Sequence, residues 1–172
     1  MADTGHILPG TAVNDATVGT IDWVNPTEAL TDNATNAIVS VHTVTAAIEN
    51  SARLVIGGTV AGDNKSTGVT VTSADQTYGG AADLWGLTPT SAQINASDFG
   101  FAYSVTGNIG TSKYLMVTNF GFNIPVGATI NGIEVFSNKL HNTATVKIDY
   151  ISIKVYYTEA TYQSPFPAFK RP

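Results

Sequence analysis

Side chains that commonly do chemistry are few and far apart in this sequence. The three histidines are His6, His42 and His141, and no two of them stand at the spacing of a metal-binding pair. There is no cysteine, which removes thiolate ligands, thiol nucleophiles and disulfides together. The sequence also lacks a G-x-S-x-G nucleophile elbow, a P-loop and a dinucleotide fingerprint. We therefore predict a protein that is not an enzyme and that holds no cofactor.

Acidic side chains are scattered through segments rich in turn-forming residues. Those in the middle of the chain are Asp63, Asp75, Asp83 and Asp98. The usual role of such carboxylates is to accept hydrogen bonds from nearby backbone amides. A calcium loop needs closely spaced oxygen ligands, as in the D-x-D-x-D-G series, and no such series is present. The carboxylates therefore indicate no metal site.

Two tryptophans, Trp23 and Trp85, accompany seven tyrosines and seven phenylalanines. Exposed aromatic faces would allow stacking against sugar rings, as in carbohydrate-binding modules. Burial is the alternative, since a large side chain contributes roughly 1.5–3 kcal/mol when it is buried in a core. Trp85 stands between Leu84 and Leu87 in a segment without surface periodicity. We therefore favour the core for both tryptophans over a sugar platform.

The charge balance limits the possible partners. The net charge is −5 at pH 7, only 12% of the residues are charged, and Lys170-Arg171 is the only adjacent basic pair. A phosphate backbone requires a basic stripe, so we predict no binding to nucleic acid. No apolar run approaches the roughly 20 residues of a membrane-spanning helix, and the first ten residues lack a signal-peptide pattern. We expect a soluble protein that does not bind a membrane.

Period-two patterns mark the strands that would position these side chains. The strongest runs from Thr143 to Thr158, where apolar and polar residues alternate up to Tyr150 and change phase at Ile151. One extra residue keeps both halves facing the core, so we predict a β-bulge near Tyr150 or Ile151. A strand this long and apolar is a poor exposed edge, and we place it inside a sheet with neighbours on both sides.

Shorter strands joined by glycine- and asparagine-rich turns fill most of the remaining chain. Single helical turns are predicted over 27–30, capped by Asn25, and within 90–98, capped by Thr90 or Ser91. Glycines interrupt the pattern at 78–80. Further strands are predicted over residues 20–24, 37–47, 52–56, 69–72, 99–105, 114–122 and 129–136. This pattern is typical of an all-β fold, an antiparallel and jelly-roll-like β-sandwich.

Both ends of the chain differ from the middle in composition. Residues 1–20 mix glycine and proline with apolar residues that follow no period, and residues 159–172 place three prolines among aromatic side chains. We therefore predict a sandwich over residues 21–158 with an extended arm at each end. The side chains expected to bind partners are Ile7, Leu8 and Pro9 in the first arm and Tyr162, Phe166, Phe169, Lys170 and Arg171 in the second.

Several segments together resemble a β-sandwich module of tailed-bacteriophage structural proteins. The segments are WVNP at 23–26, ARLVIGG at 52–58, YGG at 78–80, DLWGL at 83–87, INASDFG at 94–100, TNFGFNIP at 118–125, GATINGIEV at 127–135 and the strand at 151–158. In that module the block similar to 118–135 precedes the block similar to 52–100. Here it follows, as in a permuted version of the module.

The resemblance implies a non-enzymatic virion component, made in the host cytoplasm. Within that class, one short module with two irregular arms favours a capsid decoration (cement) protein on the outside of the head. Its partners would be the major capsid protein or another virion protein, and it would form a homo-oligomer, most simply a trimer. A receptor- or glycan-binding module of a tail fibre or baseplate is the alternative. A hydrolase on a sandwich scaffold is a third reading.

Overall fold

The structure, a computed structural model, describes residues 1–43, 46–142 and 145–160. Short strands dominate these ranges. The strands are β1 Ala2–Asp3, β2 Thr11–Asp15, β3 Ala37–Val39, β4 Ile48–Ile56, β5 Thr59–Ala61, β6 Asp75–Gly80, β7 Gly100–Gly107, β8 Gly110–Thr111, β9 Tyr114–Thr118, β10 Thr129–His141 and β11 Val146–Thr158. The helical segments are a 3₁₀ helix, Pro26–Ala29, and an α-helix, α1, Ser91–Asn95. Across the described ranges no helix has the length and apolar character needed to cross a membrane.

The strands form two antiparallel sheets that pack face to face. The first, here called the β11 sheet, has the order β1-β11-β10-β6, with β3 also paired to β11. The second, the β7 sheet, has the order β2-β9-β7-β4-β5, with β8 paired to β7. The prediction of an all-β antiparallel sandwich is confirmed.

The hydrophobic core fills the space between the two sheets. Alternate residues of each strand face inward, as the period of two requires. The inward side chains include Ile133, Val135, Ile148, Ile151, Ile153 and Val155 from the β11 sheet and Leu54, Phe101, Tyr103, Leu115 and Val117 from the β7 sheet. Trp23 and Trp85 join this core and are 1% and 0% exposed. The prediction that both tryptophans are core residues is confirmed, and neither is available as a sugar platform.

The predicted bulge is present in β11. Ser137 of β10 lies opposite Ile151, whereas Lys139 lies opposite Ile148, so β11 has one more residue than β10 between these pairs. The extra residue lets Ile148 and Ile151 both face the core, where both are fully buried. β11 also has partners on both sides, with β10 on one and β1 and β3 on the other. Both predictions for this strand are confirmed.

The prediction that residues 1–20 form an arm outside the sandwich is wrong. β1 pairs with β11, β2 pairs with β9, and Ile7 exchanges two backbone hydrogen bonds with Ile153 at 2.8 and 2.9 Å. The first 20 residues therefore complete the edges of both sheets, which would otherwise expose unpaired backbone groups. Two strands of two and five residues are too short to produce a recognisable period. Residues 161–172 of the predicted second arm lie outside the described residues.

Several local predictions differ from the structure. Residues 20–24 and 69–72 make isolated bridges instead of strands. β3 covers only the first part of the strand predicted over 37–47. The segment Tyr78-Gly79-Gly80 does not interrupt a strand but forms the end of β6. Gly79 has φ +71°, and a Cβ there would lie 2.3 Å from the carbonyl oxygen of Ile133, so a glycine is required for this pairing.

Both predicted helical turns are present. The 3₁₀ helix begins with Pro26, but Asn25 adopts φ 51° and makes no side-chain cap, so that part of the prediction is wrong. α1 begins with a capping box, in which Thr90 Oγ1 accepts from the Gln93 N–H and Gln93 Oε1 accepts from the Thr90 N–H. The predicted Thr90 cap is confirmed.

Candidate functional site

A groove of about 390 Å³ lies on the outer face of the β11 sheet. We call it the His6 groove. Its lining residues are His6, Leu8, Asp32, Phe136, Tyr150 and Ser152. The floor is a stacked pair, with the rings of Phe136 and Tyr150 5.6 Å apart and inclined by 28°. It is a flat aromatic surface held on two paired strands.

Strand alternation and the β11 bulge together create this floor. In β10, Val135 faces the core, so its neighbours Glu134 and Phe136 face outward. In β11 ordinary alternation points Tyr150 to the groove and the next residue, Ile151, to the core. The extra residue lies between Ile148 and Ile151, and without it these two residues, three positions apart, could not both face the core.

His6 fastens the N-terminal segment to this face. Its Nδ1 lies 3.1 Å from Ser152 Oγ, and its Nε2 lies 3.2 Å from Glu134 Oε1. Because the carboxylate can only accept, Nε2 carries a proton, and in the neutral ring Nδ1 accepts from the Ser152 hydroxyl. The ring also meets Phe136 edge-on with a centroid distance of 6.0 Å. The two hydrogen bonds therefore define the position of the ring above the sheet.

Ser152, His6 and Glu134 are hydrogen-bonded in the order found in catalytic triads, with a hydroxyl on one side of the imidazole and a carboxylate on the other. Acyl transfer also needs an accessible nucleophile and unpaired N–H donors to hold an oxyanion. Ser152 is only 3% exposed, and the neighbouring N–H of Ile153 already donates to the carbonyl of Ile7. This geometry favours anchoring of the N-terminal segment over catalysis.

Three carboxylates act on the Tyr150 hydroxyl, and that of Asp32 lines the groove. Burial first, and then the carboxylates of Asp32, Asp75 and Asp149, raise the pKa of the Tyr150 hydroxyl above its ordinary value. Asp149 Oδ1 is itself buried without a hydrogen-bond partner. The groove therefore combines an apolar floor with the carboxylate of Asp32, which suits a partner segment carrying both apolar and basic side chains.

The structure places the predicted N-terminal site residues at this groove or beside it. Leu8 lines it and is 40% exposed. Ile7 is half-buried against the core, and Pro9 is buried. The remaining predicted site residues, Tyr162, Phe166, Phe169, Lys170 and Arg171, lie outside the described residues. Two features of the groove were predicted from the sequence, namely Leu8 as a binding residue and the bulge near Tyr150. The aromatic floor and the hydrogen bonds of His6 were not predicted.

A second cluster of functional groups lies inside the core and was not predicted. Glu49 of β4 forms an ion pair with Lys139 of β10, and the two side chains are 2% and 4% exposed. Tyr78 donates to Glu49 Oε1 at 2.7 Å. The sequence could have indicated that Lys139 faces inward, because it follows the inward residues Val135 and Ser137 of β10 at a spacing of two. Nothing local indicated that Glu49, 90 residues away, would face it.

Two histidines that are far apart in the sequence also meet. His42 and His141 have their Nε2 atoms 3.1 Å apart, so one ring donates to the other. Burial, and then the proximity of His42, lower the pKa of His141 below its ordinary value. Within the described parts of the chain, no group of three or more histidine, aspartate or glutamate side chains could hold a metal ion.

Comparisons with protein-family models, curated proteins and solved structures found no match for this chain. The resemblance to phage sandwich modules therefore stays a prediction. The geometry of the His6 groove is the main basis for a functional proposal.

Proposed function

We propose that the protein is a non-enzymatic structural component of a tailed-phage virion, most simply a decoration protein on the outside of the head. The observation that carries this proposal is the His6 groove, an aromatic surface on a paired sheet with Leu8 exposed at its rim. Grooves lined by aromatic side chains with a few polar groups are common binding sites. A sandwich fold agrees with the phage module that the sequence resembles, although fold alone does not give function.

The occupant that we propose is the C-terminal segment of a neighbouring copy. Residues 159–172 contain Tyr162, Phe166 and Phe169, followed by Lys170-Arg171. The aromatic side chains suit the floor of the groove, and the basic pair suits the carboxylate of Asp32. Fourteen extended residues span about 45 Å, which is enough to reach an adjacent molecule. Exchange of these segments would link copies into a closed ring such as a trimer on the capsid lattice.

Location on the particle is tested by antibody labelling of virions from the source culture in negative stain. We expect label on the heads. Label confined to tail tips would favour the receptor-binding alternative, and virions that carry no label in any position would contradict a virion role.

The docking role of the groove is tested by Leu8→Glu, which replaces an exposed apolar side chain of the lining by a charged one that an apolar partner would have to desolvate. Sedimentation velocity over a range of concentrations should show an oligomer for the wild type and a monomer for this variant. The matched control is Val126→Glu, because Val126 is 96% exposed and lies outside the groove lining. An oligomer that Leu8→Glu leaves intact would exclude the groove as the contact.

One observation favours the alternative of a tail-fibre or baseplate glycan-binding module. A stacked aromatic floor beside the polar groups of Asp32 and Ser152 is also a surface on which a sugar ring could lie. A glycan array separates the two functions. Binding by the wild type that is lost in Tyr150→Ala would replace the assembly proposal, whereas the assembly proposal expects no specific glycan signal.

A further inference from the structure

Glu49 and Lys139 connect the two sheets through the middle of the core. Glu49 belongs to β4 of the β7 sheet, and Lys139 belongs to β10 of the β11 sheet. Lys139 Nζ contacts Glu49 Oε1 and donates to the Tyr78 hydroxyl at 3.1 Å. The rings of Tyr78 and Tyr103 flank Nζ, with centroids 5.4 and 5.7 Å away. An amine and a carboxyl group are therefore held in contact in a site almost closed to solvent.

The two oxygens of Glu49 have different surroundings. Oε2 accepts two hydrogen bonds from Thr67, one from its backbone N–H at 3.1 Å and one from its hydroxyl at 3.0 Å. Oε1 accepts from Tyr78 at 2.7 Å and from Tyr103 at 3.4 Å. Two donors on one oxygen can stabilise the negative charge that forms there when a nucleophile adds to the carbon. The other oxygen lies beside hydroxyl groups that can relay a proton.

We propose that Glu49 and Lys139 condense to an amide, so that the folded protein carries a covalent isopeptide link between its two sheets. This would be a self-catalysed modification of the chain. It is independent of the His6 groove and of the proposed virion role.

The reacting forms are a free amine and a neutral carboxylic acid. The ion pair and this neutral pair contain the same protons and differ only in where one proton lies. Burial lowers the pKa of Lys139, although its contacts with Glu49 oppose the shift. Burial alone would raise the pKa of Glu49, but its hydrogen bonds with Lys139 and Tyr78 outweigh this and leave that pKa lowered. The neutral acid is therefore scarce, and the bond should form slowly after folding.

The reaction balances without an oxidant or a cofactor. The Nζ lone pair adds to Cδ of Glu49, and the C=O electrons move to Oε2, where the Thr67 donors stabilise the charge. When the carbonyl re-forms, the bond from Cδ to Oε1 breaks. Oε1 leaves as one water, with its own proton and one from Nζ relayed by the Tyr78 hydroxyl. The amide N–H can then keep the hydrogen bond to Tyr78, and the amide oxygen keeps those to Thr67.

The test is the mass of the wild-type protein after folding. The chain is purified in urea, refolded, and followed by intact mass spectrometry and circular dichroism. We expect native spectra first and then the loss of one water over hours to days, while a sample kept in urea retains the full mass. Digestion of the folded product should give a branched peptide that joins Glu49 to Lys139.

Variants locate the reaction. Lys139→Arg should keep the full mass, and Tyr78→Phe should slow the loss several-fold by removing the relay. Lys65→Arg is the matched control, since Lys65 pairs with Asp83 at 2.9 Å at the surface, and it should lose water as the wild type does. The intact mass of the folded wild-type protein decides the proposal even if a variant does not fold. A natively folded wild type that keeps its full mass, or a water loss mapped to other residues, would overturn it.

Discussion

The ring of Trp85 is fully buried in the core between the two sheets. Its indole N–H donates to the carbonyl of Ile133 at 2.9 Å, and the ring meets Phe101 edge-on with a centroid distance of 6.1 Å. Trp85→Ala would lose these contacts and leave a cavity that the sheets cannot close. We expect the free energy of unfolding in urea to fall by roughly 3–5 kcal/mol.

The control for that measurement is Val126→Ala, because Val126 is 96% exposed and its truncation should change the same free energy by no more than about 0.5 kcal/mol. If Trp85→Ala unfolded at the wild-type urea concentration, the ring would not be supporting the core.

His141 should make the stability of the fold depend on pH. In the unfolded chain its pKa is about 6.5, and burial beside His42 lowers the pKa in the folded state. Between these two values the unfolded chain binds more protons, so stability is fully present above about pH 6.5 and is lost as the pH falls toward the folded-state pKa. The urea midpoint of the wild type should therefore drop between pH 7.5 and pH 5.5.

His141→Gln should reduce that drop. Leu140→Thr, a change at the exposed neighbouring position in β10, should leave it unchanged. Equal pH dependence in the wild type and in His141→Gln would show that other groups are responsible.

At the scale of the elements, the pairing of β6 with β10 depends on Gly79. A Cβ at this position would lie 2.3 Å from the Ile133 carbonyl oxygen and 2.6 Å from Trp85 Nε1, whereas Gly57, with a similar φ of +60°, has nothing within 4 Å. Gly57→Ala should cost about 1–2 kcal/mol of stability from backbone strain alone. Gly79→Ala should cost about 1–3 kcal/mol more. Equal losses in urea unfolding would mean that β6 can move away without penalty.

The bulge in β11 can be tested by removing one residue. Deleting Tyr150 would remove the extra residue, so Ile148 and Ile151 would stand two positions apart and share the core face of a regular strand. We therefore expect the deletion variant to fold, with a cooperative urea transition and the far-ultraviolet circular dichroism spectrum of the wild type. Tyr150→Thr keeps the bulge, loses the same ring and is the matched control. A deletion variant that is unfolded while Tyr150→Thr is folded would contradict this placement of the bulge.

Sequence patterns predicted these elements unevenly, and the reason is physical. β11 and its bulge were predictable because thirteen residues carry a clear period and one phase change. β1 has only two residues and β6 ends in two glycines, so neither shows a recognisable hydrophobic period. Each forms because it can pair with a long neighbouring strand, β11 or β10. The interior pair of Glu49 and Lys139 depends on strand register between distant segments, which local patterns do not contain.

At the scale of the whole molecule, the sandwich should be stable without the end of the chain. Every strand of both sheets and every described core residue precedes Glu159. Truncation after Ala160 should therefore leave the urea midpoint unchanged. A lowered midpoint would show that residues 161–172 support the fold of their own molecule.

The same truncation should abolish self-association, and the energetics indicate how tightly the missing segment can bind when it is added back. Ordering twelve residues costs about 1–2 kcal/mol each, or on the order of 12–24 kcal/mol. At about 25 cal/mol per Å², roughly 500–1,000 Å² of apolar burial only offsets this cost. A synthetic peptide of residues 161–172 should therefore bind the truncated protein weakly, and the linked segments in an oligomer would gain from effective concentration. Titration calorimetry should detect the peptide on the truncated wild type and no heat on truncated Leu8→Glu. Equal binding to both proteins would place the segment somewhere other than the His6 groove.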